Sequence, residues 1–305
     1  MKKWSISAHN CFQRCQRQYF FNYIMSHHNA KDEKRREAYL LKQLSTLNSW
    51  KGKLVHLALE KYFVPSLSQD KIISCAELTD RTLALGKQQW EFSQQSKYLN
   101  QGMTKSKAGD LYLALRNHQN TINSEIESRE KVFDEIKQCY QNLYAYDDFI
   151  NFLLNDAGWH ETEFRLSFKL DRVTIVGQPD LLVGYGNGKI CVIDWKTGKS
   201  KTTDYSTQLY LYSIAVVKSW KWSDYKLQDL LLVEANLFQN KFKKYFINKT
   251  KAEEIKSFIN RSIIDIQAVT GDHKYSLNKL KDYTYAENPI SCKYCSFEPL
   301  CKEID

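Results

Sequence analysis

The sequence predicts an α/β protein in which a mixed β-sheet is flanked by helices. Residues 163–199 alternate polar and apolar side chains and are rich in Val, Ile and Leu, which is typical of strands. Five of the 11 glycines fall between positions 177 and 198 and mark turns there. Most of the remaining chain repeats its apolar residues at helical spacing and contains only four prolines.

Helices are predicted before the strand-rich segment. Residues 5–25 begin with Ser5 or Ser7 as a cap, and 33–64 form one or two helices that Pro65 is expected to end. Residues 71–155 are predicted to form several helices. The apolar residues that carry this periodicity are Ile122, Ile126, Phe133, Ile136, Tyr140, Leu143 and Phe149.

Strands are predicted over 163–170, 173–184 and 189–196, and Asn187-Gly188 supplies a hairpin turn between the last two. A helix follows over 204–219. The stretches LQDLLLVEANLF and KKYFINK predict two more strands, and 250–268 a further helix. The tail from 272 to 305 is polar, aromatic and cysteine-bearing.

Composition restricts the class of protein. Lys and Arg total 44 against 35 Asp and Glu, so the formal charge is +9, which suits a partner with phosphates but is also common without one. No apolar run reaches the roughly 18 residues of a membrane span, and MKKWSISAHN lacks a secretory signal. We therefore expect a cytoplasmic protein with no membrane partner.

Two carboxylates stand beside a lysine at the predicted strand ends. Asp180 closes Gly-Gln-Pro-Asp, and Asp194 lies two residues before Lys196, so those two side chains share one face of a strand. The hairpin makes the strands antiparallel neighbours and brings Asp180 towards Asp194. Converging carboxylates suit Mg²⁺ or Mn²⁺, and a lysine can stabilise developing charge. The alternative is two surface aspartates that flank a turn.

Further polar residues accompany this group. Gln208 and Tyr212 lie on one face of the predicted helix over 204–219. His56 stands in Gly-Lys-Leu-Val-His, within an apolar helix, where a lone histidine is more often a core residue than a ligand. In combination with the carboxylates it becomes a candidate ligand.

GKLVH, GQPD, DWK and QLYLY together resemble the motif series of the PD-(D/E)xK nuclease superfamily, in particular its RecB-like, AddB-like and Cas4-like branch. The resemblance implies a restriction-endonuclease-like fold. It implies that His56, Asp180 and Asp194 bind the metal ion, that Lys196 is catalytic, and that Gln208 and Tyr212 place the lysine and the DNA strand. Glu163 resembles an acidic residue often found there and is a weak candidate. Ile193 and Trp195 flank the second aspartate as a local difference; the position of Trp195 varies in the family and contributes its backbone carbonyl.

The eight cysteines include a C-terminal group, Cys292, Cys295 and Cys301, that lacks a fourth ligand. A tetrahedral zinc site or an iron–sulfur cubane needs four, and Cys11 or Cys15 could complete either. A disulfide between Cys11 and Cys15 is disfavoured in a reducing compartment.

The same resemblance favours a [4Fe–4S] cluster with Cys15 as the fourth ligand. Ser5-Ile-Ser7, Phe12, Cys15 and Tyr19-Phe20 are similar to the N-terminal pattern of the AddB and Cas4 branch, although Gln16 stands where a proline is usual. Cys11 lies one helical turn earlier, where the family has no ligand. Zn²⁺ stays open as the alternative, because both centres accept four thiolates.

The resemblance divides the chain into four segments: N-terminal helices with the cluster ligand and the histidine (1–65), a helical subdomain (66–156), the nuclease core (157–270) and the cysteine segment (271–305). Two lysines, Lys199 and Lys201, and more weakly Arg14 and Arg17 are candidate DNA contacts. Tyr19 and Phe20 are expected in the core rather than as stacking residues.

The expected function is a metal-dependent DNA nuclease, most readily an exonuclease of repair, recombination or defence that prefers single strands. The alternatives are a structure-specific or Cas4-like endonuclease acting with a partner, and a non-catalytic DNA-binding subunit. No Gly-x4-Gly-Lys-Ser/Thr motif occurs in this sequence, so ATP-driven unwinding would come from a helicase or other partner protein.

Overall fold

A computed structural model describes residues 1–68, 72–100, 102–119, 125–272 and 274–304. The chain divides into two compact units. The first unit comprises Met1–Leu44, Lys169–Val176 and Lys256–Asp305, and the second comprises Ser45–Phe168 and Gly177–Ile255.

Most of the helices come before the main run of strands in the chain, and further helices follow it. The helices are α1 (Ile6–Arg14), α2 (Gln16–Tyr19), α3 (Glu33–Gln43), α4 (Leu47–Ala58), α5 (Val64–Leu67), α6 (Cys75–Gln94), α7 (Lys105–Ala108), α8 (Glu125–Tyr144), α9 (Asp147–Asn151), α10 (Ser206–Lys218), α11 (Lys249–Thr270), α12 (Ile290–Lys293) and α13 (Glu298–Glu303). The strands are β1 (Lys3–Trp4), β2 (Ala157–Thr162), β3 (Leu166–Leu170), β4 (Val173–Gly177), β5 (Leu181–Tyr185), β6 (Lys189–Lys196), β7 (Leu230–Asn236) and β8 (Lys241–Tyr245). Single turns of π-helix, Phe20–Met25, Leu59–Phe63 and Phe152–Asp156, continue α2, α4 and α9.

The strands form two sheets, one of order β1-β4-β3 and one of order β2-β5-β6-β7-β8. In the larger sheet β6 and β7 run parallel, whereas β2–β5, β5–β6 and β7–β8 are antiparallel pairs. The parallel pair needs a crossover, and α10 supplies it. The predicted fold class, a mixed sheet flanked by helices, is confirmed.

In the second unit, a large apolar core joins the helices of residues 45–156 to the sheet. Trp50, Phe133 and Tyr140 from the helices and Trp195 from β6 are all nearly inaccessible to solvent within it. Burial of such large aromatic side chains is a dominant favourable contribution to folding. The core therefore holds α4 and β6, which carry most of the candidate site residues, in a fixed arrangement.

In the first unit, Trp4 anchors the N-terminus. Its ring is 1% exposed, and its Nε1 donates a hydrogen bond of 2.9 Å to the Ser262 hydroxyl on α11. The same hydroxyl lies 2.7 Å from Nδ1 of His9 on α1. Tyr19 and Phe20 are buried, in agreement with the expectation that they are core residues.

Several local predictions were wrong in instructive ways. Cys15 adopts an extended conformation and divides the predicted helix over 5–25 into α1 and α2. Pro65 does not end the helical run, because it occupies the first turn of α5, where no amide donor is needed. The predicted strand over 173–184 is two strands, since Pro179 cannot donate to a ladder. Strand β2 was not predicted.

The long helices α6 and α8 confirm helical structure in much of residues 71–155. Ile122 and the side chain of Ile126 lie outside the described residues. Among the helices that the structure describes, none is long and apolar enough to cross a membrane.

Candidate active site

Asp180 lies where strand β5 of the larger sheet begins, close to the end of the neighbouring strand β6. It directly precedes β5, whose first residue, Leu181, pairs with Ile193 on the antiparallel strand β6. The Trp195 amide donates a hydrogen bond of 2.6 Å to Oδ2 of Asp180. The carboxylate expected to approach β6 across the ladder is therefore bonded to the backbone between Asp194 and Lys196.

His56 meets this carboxylate from α4. Its Nδ1 lies 3.1 Å from Oδ1 of Asp180. Burial acts to lower the pKa of His56, but the carboxylates of Asp180 and Asp194 outweigh it, and the pKa is raised above its ordinary value. The imidazole and the carboxylate thus belong to one electrostatic group.

Asp194 and Lys196 form an ion pair on one face of β6, as their i, i+2 spacing predicts. The Asp194 side chain is 3% exposed and that of Lys196 is 15% exposed. Burial and the neighbouring Asp180 raise the pKa of Asp194. Oδ2 of Asp194 is the buried oxygen that faces the Lys196 ammonium.

Gln208 and Tyr212 extend the arrangement from α10. Lys196 Nζ donates to Oε1 of Gln208 at 3.2 Å, and Nε2 of Gln208 donates to the Tyr212 hydroxyl at 2.5 Å. Lys196 Nζ also lies 4.4 Å from the centre of the Tyr205 ring. The lysine is therefore oriented by an amide that is itself held in place.

Glu163 lies beside His56 and Asp180, although the sequence made it only a weak candidate. Potential ligand atoms of His56, Glu163 and Asp180 all lie within 4.8 Å of one another, and Asp194 is not part of that group. Glu163 has a left-handed backbone, with φ of 49°. Its amide donates to the Asp180 carbonyl at 3.1 Å, and its carbonyl accepts from Gln178 Nε2 at 2.9 Å. Burial and Asp180 raise its pKa to about 7.

The candidate DNA contacts occupy different environments. Lys199 is half-exposed and donates to Oε1 of Glu135 at 2.6 Å, while Lys201 is exposed. Arg14 is exposed and bonds Gln18. Arg17 is buried in the first unit, where it donates to the Tyr283 carbonyl and to Cys301 Sγ.

Four cysteines line one cavity of about 100 Å³ in the first unit: Cys15, Cys292, Cys295 and Cys301. Arg17 and Tyr285 also line it, with the guanidinium 3.9 Å from the centre of the tyrosine ring. The pKa of the Cys295 thiol is raised to about 11, chiefly by burial and to a smaller extent by the three other cysteines, while a backbone hydrogen bond from Phe297 acts in the opposite sense. The two ends of the chain thus bring four free thiols together.

The local backbone separates Cys15 from Cys11. Cys15 breaks the helix, and its sulfur accepts from the Gln18 amide at 3.4 Å. Cys11 is 4% exposed on α1 and does not line the cavity.

The chain matches one protein family over nearly its whole length. Residues 3–302 match the profile of the PD-(D/E)XK nuclease superfamily. No curated protein sequence matches the chain significantly. Among solved structures, the protein called SSO0001 shares 18% identity over 59% of this chain and 79% of its own, with a TM-score of 0.30. A protein from Eubacterium rectale, provisionally named an exonuclease, shares 9% identity over 78% of this chain and 90% of its own, with a TM-score of 0.36.

Proposed function

Since the chain belongs to the PD-(D/E)XK nuclease superfamily, we propose that it is a Mg²⁺- or Mn²⁺-dependent deoxyribonuclease of the RecB-like, AddB-like and Cas4-like branch. We further propose that it is an exonuclease acting on single-stranded ends. One observation carries the proposal: Asp180 bonds both His56 and the backbone of the Asp194-Trp195-Lys196 sequence.

The donor set suits a hard divalent ion. His56, Asp180 and Asp194 would hold it, and Glu163 stands close enough to His56 and Asp180 to serve as a further ligand. The Asp194 carboxylate is buried and interacts electrostatically with Asp180 and His56, so it is an anionic donor that a divalent cation would stabilise there. When bound, such an ion polarises a phosphoryl oxygen and lowers the pKa of its water.

The chain's own residues then orient the reaction. Lys196 presents a charge that stabilises the negative charge developing on the phosphoryl oxygens. Gln208 directs the ammonium, and Tyr212 fixes Gln208. A lysine held in this way loses little conformational entropy when the transition state forms.

Recognition of DNA is proposed to be electrostatic and independent of base sequence. The formal charge of +9 favours a polyanion, and Lys199 and Lys201 follow Lys196 closely in the chain. Arg14 and Arg17 are weaker candidates, and the burial of Arg17 favours a role beside the cysteines instead. Duplex unwinding would come from a helicase or a defence partner protein.

We propose that Cys15, Cys292, Cys295 and Cys301 hold a [4Fe–4S] cluster. In the described chain no three cysteine sulfurs lie within 4.8 Å of one another, although these four line one cavity. Four thiolates on one Zn²⁺, at about 2.3 Å each, would stand only about 3.8 Å apart. Cysteines that bind different irons of one cluster are spaced more widely, so the cavity fits the cluster better than zinc.

The nuclease proposal is tested with end-labelled single-stranded, end-labelled double-stranded and circular single-stranded DNA, with and without Mn²⁺. We expect digestion of the single-stranded ends only with metal, and its loss by at least about 10²-fold in Asp194→Asn and Lys196→Met. Asp224→Asn, on an exposed residue, is the matched control.

The alternatives predict different products. Cleavage of the circular substrate would replace the exonuclease with an endonuclease. DNA binding without cleavage under every metal condition would indicate a non-catalytic subunit, and unchanged cleavage in both variants would refute the site assignment.

A further inference from the structure

Glu135 joins two lysines that belong to separate elements of the second unit. Its Oε2 accepts from Lys51 Nζ at 2.7 Å, and its Oε1 accepts from Lys199 Nζ at 2.6 Å. Glu135 stands on α8, Lys51 on α4, and Lys199 in the segment after β6. The bridging carboxylate is 13% exposed and is not among the grouped potential metal ligands.

The Lys51 side of the bridge is buried. The Lys51 side chain is 2% exposed, and a charge so deeply buried needs a counterion. Its Nζ lies 4.6 Å from the centre of the Phe238 ring, which packs on the same ammonium. Because Lys51 and His56 lie five residues apart on α4, this pair ties Glu135 to the helix that carries the histidine.

The Lys199 side of the bridge is half-exposed, at 50%. The segment 197–201 leaves β6 directly after Lys196 and is also held by residues of β7 and of the turn that follows it. Asn236 Nδ2 and Gln239 Nε2 donate to the Gly198 carbonyl at 3.1 and 3.0 Å. Glu135 on α8 therefore holds the segment 197–201 at Lys199, while β7 and the turn after it hold the same segment at Gly198.

The same segment lies directly against α4. A Cβ added at Gly52 would stand 3.3 Å from Thr197 Oγ1, closer than ordinary side-chain contacts. A shift of 197–201 would therefore displace both Lys196 and α4, the helix that carries His56. Close packing transmits such shifts, since interiors have little free volume.

We propose that Glu135 is a positioning residue for the nuclease reaction. Fixed by Lys51, it holds Lys199 and the segment 197–201 so that Lys196 keeps its orientation towards the scissile phosphate. This inference rests on the proposed function, because it concerns the same centre. The two ion pairs have different roles. The buried Lys51–Glu135 pair fixes Glu135, and the half-exposed Glu135–Lys199 pair fixes the segment 197–201.

The test compares Glu135→Gln with Glu130→Gln, a matched change on the same helix at a glutamate that is 50% exposed and paired with Arg129. Hydrogen exchange of the Leu237 amide, which donates to the Lys196 carbonyl at 2.8 Å, should rise in Glu135→Gln and not in the control. With single-stranded DNA, kcat should fall about tenfold in Glu135→Gln while KM changes little. A residue that only stabilises the fold would lower the melting temperature without this kcat effect.

Three further variants guard against a folding failure of Glu135→Gln. Lys199→Met leaves the buried pair intact and should reproduce the increase in exchange, whereas Lys199→Arg should restore protection. The double variant Lys51→Met, Glu135→Gln removes the buried charge, so it should fold and still show raised exchange at Leu237.

Each outcome decides the matter. Unchanged exchange at Leu237 in all variants, or raised exchange with an unchanged kcat, would overturn the positioning role. If the wild-type protein cuts no DNA, the proposed function fails, and the exchange measurement alone still shows whether Glu135 anchors the segment.

Discussion

Gly177 and Tyr212 are in direct contact beside the candidate catalytic group. A Cβ placed at Gly177 would lie 2.8 and 2.9 Å from two ring carbons of Tyr212 and 3.1 Å from Leu211 Cδ2. Close approach, rather than a left-handed backbone, is what requires glycine at this position. The first residue of Gly-Gln-Pro-Asp thus makes room for the tyrosine that holds Gln208.

Gly177→Ala should displace the Tyr212 ring and loosen the Gln208–Lys196 contact. We expect kcat on single-stranded DNA to fall about tenfold with little change in DNA affinity, because the lysine loses orientation rather than charge. Gly158→Ala is the control, since its Cβ would meet only the Gly184 carbonyl at 3.8 Å. Equal activity of the two variants would count against this account.

Cys15 and Cys11 should respond differently to removal of the sulfur. Cys15→Ala removes one of the four sulfurs that line the cavity, so the protein purified anaerobically should lose most of its iron and its visible absorbance. Cys11→Ala changes a buried residue outside the cavity and should retain both. Iron analysis and absorbance spectra test this; zinc with full nuclease activity in the wild type would exclude the cluster.

At the scale of elements, α6 packs closely on α4 and α8 through Gly86. A Cβ at Gly86 would lie 2.8 Å from Leu54 Cδ2 and 2.9 Å from Phe133 Cε1. Glycine within a helix costs about 1 kcal/mol relative to alanine. The close packing of three helices in the core offsets that cost.

Gly86→Ala should therefore destabilise the protein despite the better helix propensity of alanine. Overpacking of a filled core costs about 1–3 kcal/mol, which exceeds the propensity gain. Urea denaturation measures the free energy of unfolding. Lys87→Ala, at an exposed neighbouring position, should leave the free energy of unfolding within about 0.5 kcal/mol of the wild type. A Gly86→Ala variant that is more stable than the wild type would show that the core rearranges to accept the added methyl group.

At the scale of the molecule, the two groups of candidate residues belong to different units. The four cysteines lie in the first unit, whereas His56, Glu163, Asp180, Asp194, Lys196, Gln208 and Tyr212 lie in the second. A metal centre in the first unit would join chain ends that most of the sequence separates. Closing so long a loop restricts the unfolded chain strongly.

If the four cysteines hold the proposed cluster, removal of its iron should destabilise the first unit. We expect the segment 285–302 to become the earliest site of limited proteolysis after chelation, as followed by mass spectrometry. Chelation of Cys15→Ala, which should already lack iron, is expected to change nothing further. Identical digestion of the untreated and chelated wild-type protein would argue against a stabilising cluster.

Local patterns in the sequence were enough to predict the fold class and the neighbourhood of Asp180, Asp194 and Lys196. The i, i+2 spacing on β6, the Asn187-Gly188 turn and the i, i+4 spacing of Gln208 and Tyr212 act over a few residues, so each can be recognised without knowledge of the fold. The roles of these residues in catalysis stay predictions.

Other features depend on contacts between distant parts of the chain. Glu163 joins His56 and Asp180 through a left-handed backbone, and Glu135 meets Lys51 and Lys199 across three elements. Strand β2 shows weak alternation and forms by pairing with β5. Burial and long-range pairing select these arrangements, and neither leaves a periodic signal in the sequence, which is why they became visible only when the folded chain brought the residues together.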